Sequence, residues 1–294
     1  MRRPRLPAAV WFVAPALAAI GVFFAVPVAA ALALSLTDFD IYAIGDPARL
    51  RFVGLANYQD LLREPLFRVA LANTGYFVAV GGPLSVGVSL AVALAVDARL
   101  TRWKGLLRTL FFLPVVTTLV AVAVVWRFLY HPRVGLLNGA LAAVGIAPID
   151  WLGDPRFAMP ALILMAVWKN FGFNMVIFLA GLQAIPEPLY EAARIDGAGP
   201  LAQLRHVTLP MLGPTFLFVC ISTAIGHLQL FAEPYVMTAG GPSNRTLSIV
   251  LLMYREGFRW WNMGYAAAVA FVLFAIILGA TWLQWRLRPR GVGA

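Results

Sequence analysis

Long unbroken apolar runs dominate this chain, and period-two alternation is rare. A helix needs about 20 apolar residues to cross the hydrocarbon of a bilayer. Six stretches meet that length: Val10–Leu36, Val69–Val96, Leu106–Tyr130, Phe157–Leu182, Leu209–Ala232 and Gly264–Trp285. Pro15, Pro27, Pro83 and Pro114 fall inside them; spanning helices tolerate proline where neighbours satisfy the freed carbonyls. The polar positions collect between the runs. Segments 37–68, 131–156 and 233–263 are long and rich in aromatics and turn residues, 97–105 is short and basic, and 183–208 carries its own helix punctuation. The pattern predicts an all-α, polytopic membrane protein with six transmembrane helices, without an internal repeat, low-complexity run or soluble domain.

Composition agrees. Hydrophobic residues make up 61% of the 294 residues and charged residues 12%, against about 45–50% and 25% in soluble domains. The first run follows Arg2, Arg3 and Arg5, and Ala29-Ala30-Ala31 has the look of a cleavage region. A signal-peptide core is about 7–15 residues long, so the longer run is expected to stay as a first helix. The formal charge of +10 raises nucleic acid as a ligand, but the basic residues cluster at span ends and form no stripe with aromatics. They set orientation instead. With the N-terminus inside, Arg2, Arg3, Arg5, Arg99, Arg102, Lys104, Arg108, Arg194, Arg205, Arg286, Arg288 and Arg290 lie inside, and Arg49, Arg51, Arg63, Arg68, Arg133, Arg156, Arg245, Arg255 and Arg259 lie in the longer outer loops. Both termini are therefore expected in the cytoplasm, with Ile41, Ile149 and Ser243 outside. Cys220 is the one cysteine, which excludes a disulfide or thiolate metal framework.

The 183–208 segment is the most informative. Pro188 suits the first turn of a helix, Glu187 and Glu191 sit where acidic groups favour its dipole, and Gly197 stands at the stop. Pro200 opens a second short helix through His206, and Pro210 begins the next span. Ala192 and Ala193 permit close approach, and Glu191 can pair with Arg194 or with a partner's basic residue. The spacing fits either a surface hairpin that joins two spans or an element on which another protein docks.

Glu191-Ala192-Ala193, Gly197, Val207 and Leu209-Pro210 resemble the signature of permease subunits of binding-protein-dependent ABC importers; the family usually has Ile where Val207 stands. Further matches to first-type carbohydrate-uptake permeases, the maltose and glycerol-phosphate kind, run through nearly the whole chain. They include Phe52-Val53-Gly54-Leu55 with Asn57-Tyr58, Trp126 with Gly135 and Asn138, and Trp151-Leu152. Ala180-Gly181-Leu182-Gln183, Thr238-Ala239-Gly240-Gly241-Pro242 and Gly264-Tyr265-Ala266-Ala267-Ala268 also fit. The resemblance implies a first helix and outer loop over 1–68, a five-helix permease core over 69–285 with the coupling loop at 183–208, and a basic tail over 286–294. It implies docking on an ATPase through Glu191, Ala192, Ala193, Asp196, Gly197 and Pro210. It implies as partners a second homologous permease, two ATPase subunits and an extracytoplasmic solute-binding protein, in a bacterial inner membrane. The solute would be a sugar, or a related polar solute such as glycerol phosphate or a polyamine. An ion-coupled secondary transporter is the alternative from another class.

The chain itself encodes no chemistry. A phosphate-binding loop needs Gly immediately before its Lys, yet both lysines, Lys104 and Lys169, follow tryptophan. His131, His206 and His227 are scattered, without His-Glu-x-x-His, and Gly-x-Ser-x-Gly is absent. No catalytic residue, metal site or cofactor is expected; ATP and magnesium would bind the partner ATPase. The polar residues inside spans are the remaining candidates. Lys169 lies midway along the fourth run beside Trp168 and Asn170. An intramembrane charge is a candidate functional group, and pairing within the bundle or snorkelling from a helix end explains it equally well. Thr223, His227 and Leu230 share a face at spacings of four and three, with Gln229 and Glu233 on a neighbouring one. By resemblance, Trp168, Phe173, Thr223, His227 and Leu230 occupy sugar-contacting positions, and Lys169 and Asn170 join them on the substrate path. Plain packing accounts for Trp168 and Phe173 as well, and a satisfied hydrogen bond for His227.

Overall fold

The computed structural model describes residues 8–46, 50–98 and 101–287. Arg2, Arg3, Arg5, Arg49, Arg99, Arg288 and Arg290, all part of the orientation argument, lie outside them. The described residues are helical and contain no strand, only isolated bridges at Thr37–Phe52 and Asp40–Asn262. Among the described residues, five helices are long and apolar enough to cross a membrane: α1 (Val10–Ser35), α3 (Pro65–Asp97), α7 (Ala158–Gln183), α10 with α11 (Gly213–Met237) and α13 (Met263–Arg286). The predicted third span is two helices, α4 (Lys104–Val116) and α5 (Leu119–Leu129), bent by 97°. Shorter helices complete the order: α2 (Ala56–Arg63), α6 (Leu136–Ala143), α8 (Glu187–Ile195), α9 (Pro200–Gln203) and α12 (Ile249–Tyr254).

Proline shapes these helices without ending all of them. Three of the four π-helical turns among the described residues, Gly21–Ala25, Phe77–Gly81 and Leu204–Thr208, end two residues before Pro27, Pro83 and Pro210. A proline ring crowds the carbonyl four residues back and offers it no N–H. Widening the preceding turn moves that carbonyl aside.

The chain packs as two compact units. The first holds residues 1–65 and 253–272. There α1 leaves its apolar side chains exposed, with Phe12 86% and Phe23 81% accessible, as a lipid-facing arm requires. Asn57 Nδ2 donates to the carbonyls of Ser35 and Thr37 at 2.9 and 2.8 Å, and the Val53 and Gly54 amides donate to Leu36 O. The Tyr58 hydroxyl lies 2.7 Å from Ser35 Oγ. The Val53-Gly54 and Asn57-Tyr58 motif thus satisfies the carbonyls that the end of a helix leaves open. At the start of α13, Gly264 donates to Phe39 O, and a Cβ there would strike the Thr37 carbonyl.

The second unit holds residues 66–252 and 273–294. Its core lies along α7, whose Leu162, Met165, Met175 and Phe178 are fully buried. One apolar cluster gathers Phe77, Trp126 and Tyr130 around the first half of α7, and another gathers Val86, Val96 and Leu212 around the second half.

Candidate functional site

Two broken helices define the site. In α4, Pro114 weakens the last turn, and Thr117 and Thr118 then turn extended, with ψ of 148° and 136°. Thr117 Oγ1 donates to Pro114 O at 2.6 Å, and Lys169 Nζ donates to Val115 O at 3.0 Å. The second break separates α10 (Gly213–Leu228) from α11 (Ala232–Met237). Ser248 Oγ donates to the Leu230 carbonyl there at 2.5 Å. Non-helical backbone at membrane depth persists where protein groups satisfy it or where it lines a cavity. Leu106–Tyr130 is therefore corrected from a continuous span to a bent pair, whereas the span expected at Leu209–Ala232 lies at Gly213–Met237 and loses helix only at 229–231. Pro210 sits in the short turn Leu209–Met211, ahead of the span that starts at Gly213.

Both breaks open onto one cavity of about 420 Å³, to which Val115 and Leu119 contribute from the first and Gln229 to Glu233 from the second. Of the sequence candidates, Asn170, Phe173, Thr223, His227 and Leu230 line it; Trp168 and Lys169 do not. Helical phase explains the division. Ala166, Asn170, Phe173 and Asn174 recur at spacings of three and four on one face of α7. Trp168 points away, 41% exposed, with its ring 5.5 Å from Trp126. Lys169 is buried beneath the end of α4. Leu230 lies past the end of α10, so it reaches the cavity from unwound chain and not from the helical face assumed for it.

His227 is the most informative group. It is buried, with its ring 5.0 Å from that of Phe77. Its Nδ1 lies 2.8 Å from the Thr223 carbonyl. A carbonyl only accepts, so the network assigns the proton to Nδ1 and leaves a lone pair on Nε2. Nε2 is buried and has no hydrogen-bond partner among the described residues. Beside it, Asn174 Nδ2 donates to Thr223 Oγ1 at 3.0 Å. Gly81 makes room: a Cβ there would lie 3.2 Å from the imidazole Cδ2. Phe77 and Asn174 were missed in the sequence. Asn174 was recoverable, since it repeats Asn170 at a spacing of four.

The 183–208 segment forms α8, then a bend, then α9. Gly197 has φ of +79°, its amide donates to Arg194 O, and the Ala198 amide donates to Ala193 O. These two bonds form a Schellman stop. The second helix runs through the expected His206, α-helical to Gln203 and then as the π turn Leu204–Thr208. Arg194 reaches back to Glu187 Oε1 at 2.9 Å, and not to Glu191 as the spacing suggested. Glu191, Ala192 and Asp196 are exposed and Ala193 half-buried. The bend is pinned by Tyr190 and Thr208, whose hydroxyls lie 3.0 Å apart, and by Gln203 Nε2 donating to Ala198 O. Ile195 and Leu201 remain 86% and 78% exposed.

The 131–156 segment is organised by Asn138. Its amide group donates to Pro132 O and Ile149 O, and accepts from the Ile149 amide and Trp151 Nε1. A Cβ at Gly135 would collide with the Leu129 and His131 carbonyls. Nearby, the Arg156 guanidinium holds the Asp154 carboxyl below the usual carboxylate range.

The family described as binding-protein-dependent transport system inner membrane component matches residues 85–291. Relatives align over nearly the full length. The lactose transport system permease protein LacF of Rhizobium radiobacter is 38% identical over 93% of this chain and 91% of its own. The trehalose/maltose transport system permease protein MalF of Thermococcus litoralis is 35% identical over 91% and 88%. The sn-glycerol-3-phosphate permease protein UgpA of Yersinia pseudotuberculosis is 33% identical over 95% and 94%. The fold is shared with a chain of a bacterial alginate ABC transporter, solved in complex with an alginate pentasaccharide-bound periplasmic protein. That chain has a TM-score of 0.80 at 20% identity, with 98% of each chain covered. This protein belongs to the inner-membrane components of binding-protein-dependent transport systems, the membrane-spanning permeases of ABC importers.

Proposed function

We propose that this permease carries a neutral sugar or sugar-like solute into the cytoplasm by alternating access, and that the solute is held at the cavity between the two helix breaks. The observation that carries this reading is the cavity lining itself, where Asn170, Phe173, Thr223 and His227 meet and the buried His227 Nε2 lacks a hydrogen-bond partner among the described residues. A buried acceptor without a donor costs about 1–3 kcal/mol; a solute hydroxyl would supply the donor. Phe173 offers an apolar face to a sugar ring, and Asn170 and Thr223 offer polar groups. The cavity wall contributed by this chain has no Lys or Arg side chain and includes Glu233. A phosphate would want cations there, so a neutral sugar is favoured over glycerol phosphate.

Membership in the family supports the remaining parts of the reading. ATP and magnesium would be bound by two separate ATPase subunits, and this chain would use no cofactor of its own. A second homologous permease would complete the path, and an extracytoplasmic binding protein would deliver the solute. Glu191, Ala192, Ala193, Asp196, Gly197 and Pro210 would form the ATPase-docking loop, with both termini on the same, cytoplasmic side. The exposed Ile195 and Leu201 give that loop an apolar surface suited to a partner groove.

The test is uptake by proteoliposomes containing this chain, its partner permease and ATPase, with the binding protein added outside. ATP-dependent accumulation of labelled lactose, trehalose or maltose is expected. Accumulation of glycerol 3-phosphate alone, or uptake driven by an ion gradient without ATP, would overturn the reading.

A further inference from the structure

We propose that Lys169 is a positioning residue: its ammonium holds the third span in its broken form, with the break turned to the cavity. Lys169 is 7% exposed, so its charge does not snorkel to an interface. A charge at membrane depth is costly and persists where groups compensate it. The bond to Val115 O, at 3.0 Å, places the cation at the C-terminal end of α4. That end carries the negative pole of the helix and the carbonyls that the break leaves open.

Gly172, one turn further along α7, makes this reach possible. A Cβ there would collide with the Phe111 carbonyl, so α4 lies directly against the α7 backbone. The unbroken α7 thus sets one cation against the end of the interrupted third span. Thr117 caps the neighbouring Pro114 carbonyl, but a neutral hydroxyl supplies no charge to the helix end.

The test reads the bend directly. In the full chain carrying Cys220→Ser, Leu106→Cys and Phe128→Cys take spin labels; both labelled side chains are exposed. The chain is assembled with its partner permease and ATPase in nanodiscs, and the label-to-label distance is measured by pulsed electron paramagnetic resonance. At the 97° bend the two Cα atoms lie roughly 22 Å apart; a straightened helix places them about 33 Å apart. The native background and Lys169→Arg are expected to give the short distance. Lys169→Met shifts population to the long one. An unchanged short distance in Lys169→Met overturns the proposal, as does a Lys169→Arg shift as large as that of Lys169→Met. Where Lys169→Met does not assemble, the neutral Lys169→Gln decides: a shift toward the long distance supports the proposal, and a distribution equal to the native one overturns it.

Discussion

The fourth span and its two broken companions solve the membrane problem in opposite ways. Helix α7 runs 26 residues without a break and meets its neighbours through glycine. A Cβ at Gly172 would strike the Phe111 carbonyl, and one at Gly181 would lie 2.7 Å from Thr215 Oγ1. Close contact between backbones is a main source of helix association in lipid. The third and fifth spans give up helix at Thr117–Thr118 and at 229–231, and side chains take over the carbonyls: Thr117, Lys169 and Ser248. Rigidity is concentrated in one element so that irregular backbone, and the cavity it lines, can exist beside it.

The strongest way to break this contrast is to deny α7 its close approach. Gly172→Leu puts a side chain where a backbone carbonyl sits, and a carbonyl cannot rotate away. Overpacking costs typically 1–3 kcal/mol, and this site is expected near the upper end, at about 3 kcal/mol. The thermal midpoint of the purified chain should fall sharply, with α4 released from α7. An unchanged midpoint would mean that the two helices can separate freely. The same substitution at Gly139, where a Cβ meets nothing within 4 Å, is the control.

The second test leaves the scaffold whole and acts on the broken side. His227→Ala removes the acceptor proposed to meet a solute hydroxyl. The loss is expected at about 2 kcal/mol, some tenfold or more in the KM of uptake. Basal ATP hydrolysis and subunit assembly should stay as they were. A KM equal to that of the native chain would leave the buried Nε2 without a ligand and the solute site misplaced.

The sequence made the continuous span and the loop legible but not the breaks, and the reason is physical. Apolar runs report the solvent, and the solvent is the same for a straight helix and a bent one. Pro114 signalled a possible kink, but Pro27 and Pro83 gave the same signal where the chain answers with a π turn and continues. What distinguishes Pro114 is Thr117 and a distant Lys169, and only tertiary structure brings Lys169 to the Val115 carbonyl. The site residues divide in the same way. Thr223 and His227 share a helical face by periodicity. Trp168 was drawn into the site by resemblance, although it lies on the opposite face from Asn170 and Phe173. In 183–208 the stop at Gly197 was written locally, in glycine and proline, and was readable for that reason.

Gly197 sharpens the comparison with Gly172, because the two glycines are needed for different reasons. A Cβ at Gly197 would meet nothing within 4 Å, so Gly197→Val is not a steric clash. The cost comes from φ of +79°, a conformation that disfavours β-branched residues by about 1–2 kcal/mol. The membrane helices should keep their thermal midpoint while solute-stimulated ATP hydrolysis falls. Gly197→Asn, which tolerates the left-handed region, should recover most of the loss. Equal impairment by Val and Asn would show that backbone conformation is not what the position supplies.

The smallest effect is expected at the ion pair of the loop, and it separates exposed charge from the buried charge of Lys169. Arg194 and Glu187 meet at 2.9 Å, but their side chains are 40% and 54% exposed. Water screens such a pair, and holding two long side chains together costs entropy, so exposed pairs contribute about 0.2–1 kcal/mol. Glu187 also lies in the first turn of α8, where a negative charge is favoured by a similar amount. Glu187→Gln removes both contributions and keeps the shape. The change in thermal midpoint should be small and should shrink further as salt is raised, because exposed charges are screened over about 10 Å at 0.1 M ionic strength. Lys169→Met, measured in the same salt series, should show no such dependence, since its charge is buried in protein at membrane depth. A salt-insensitive loss at Glu187 would place that pair in a protected interface and move it to the same class as Lys169.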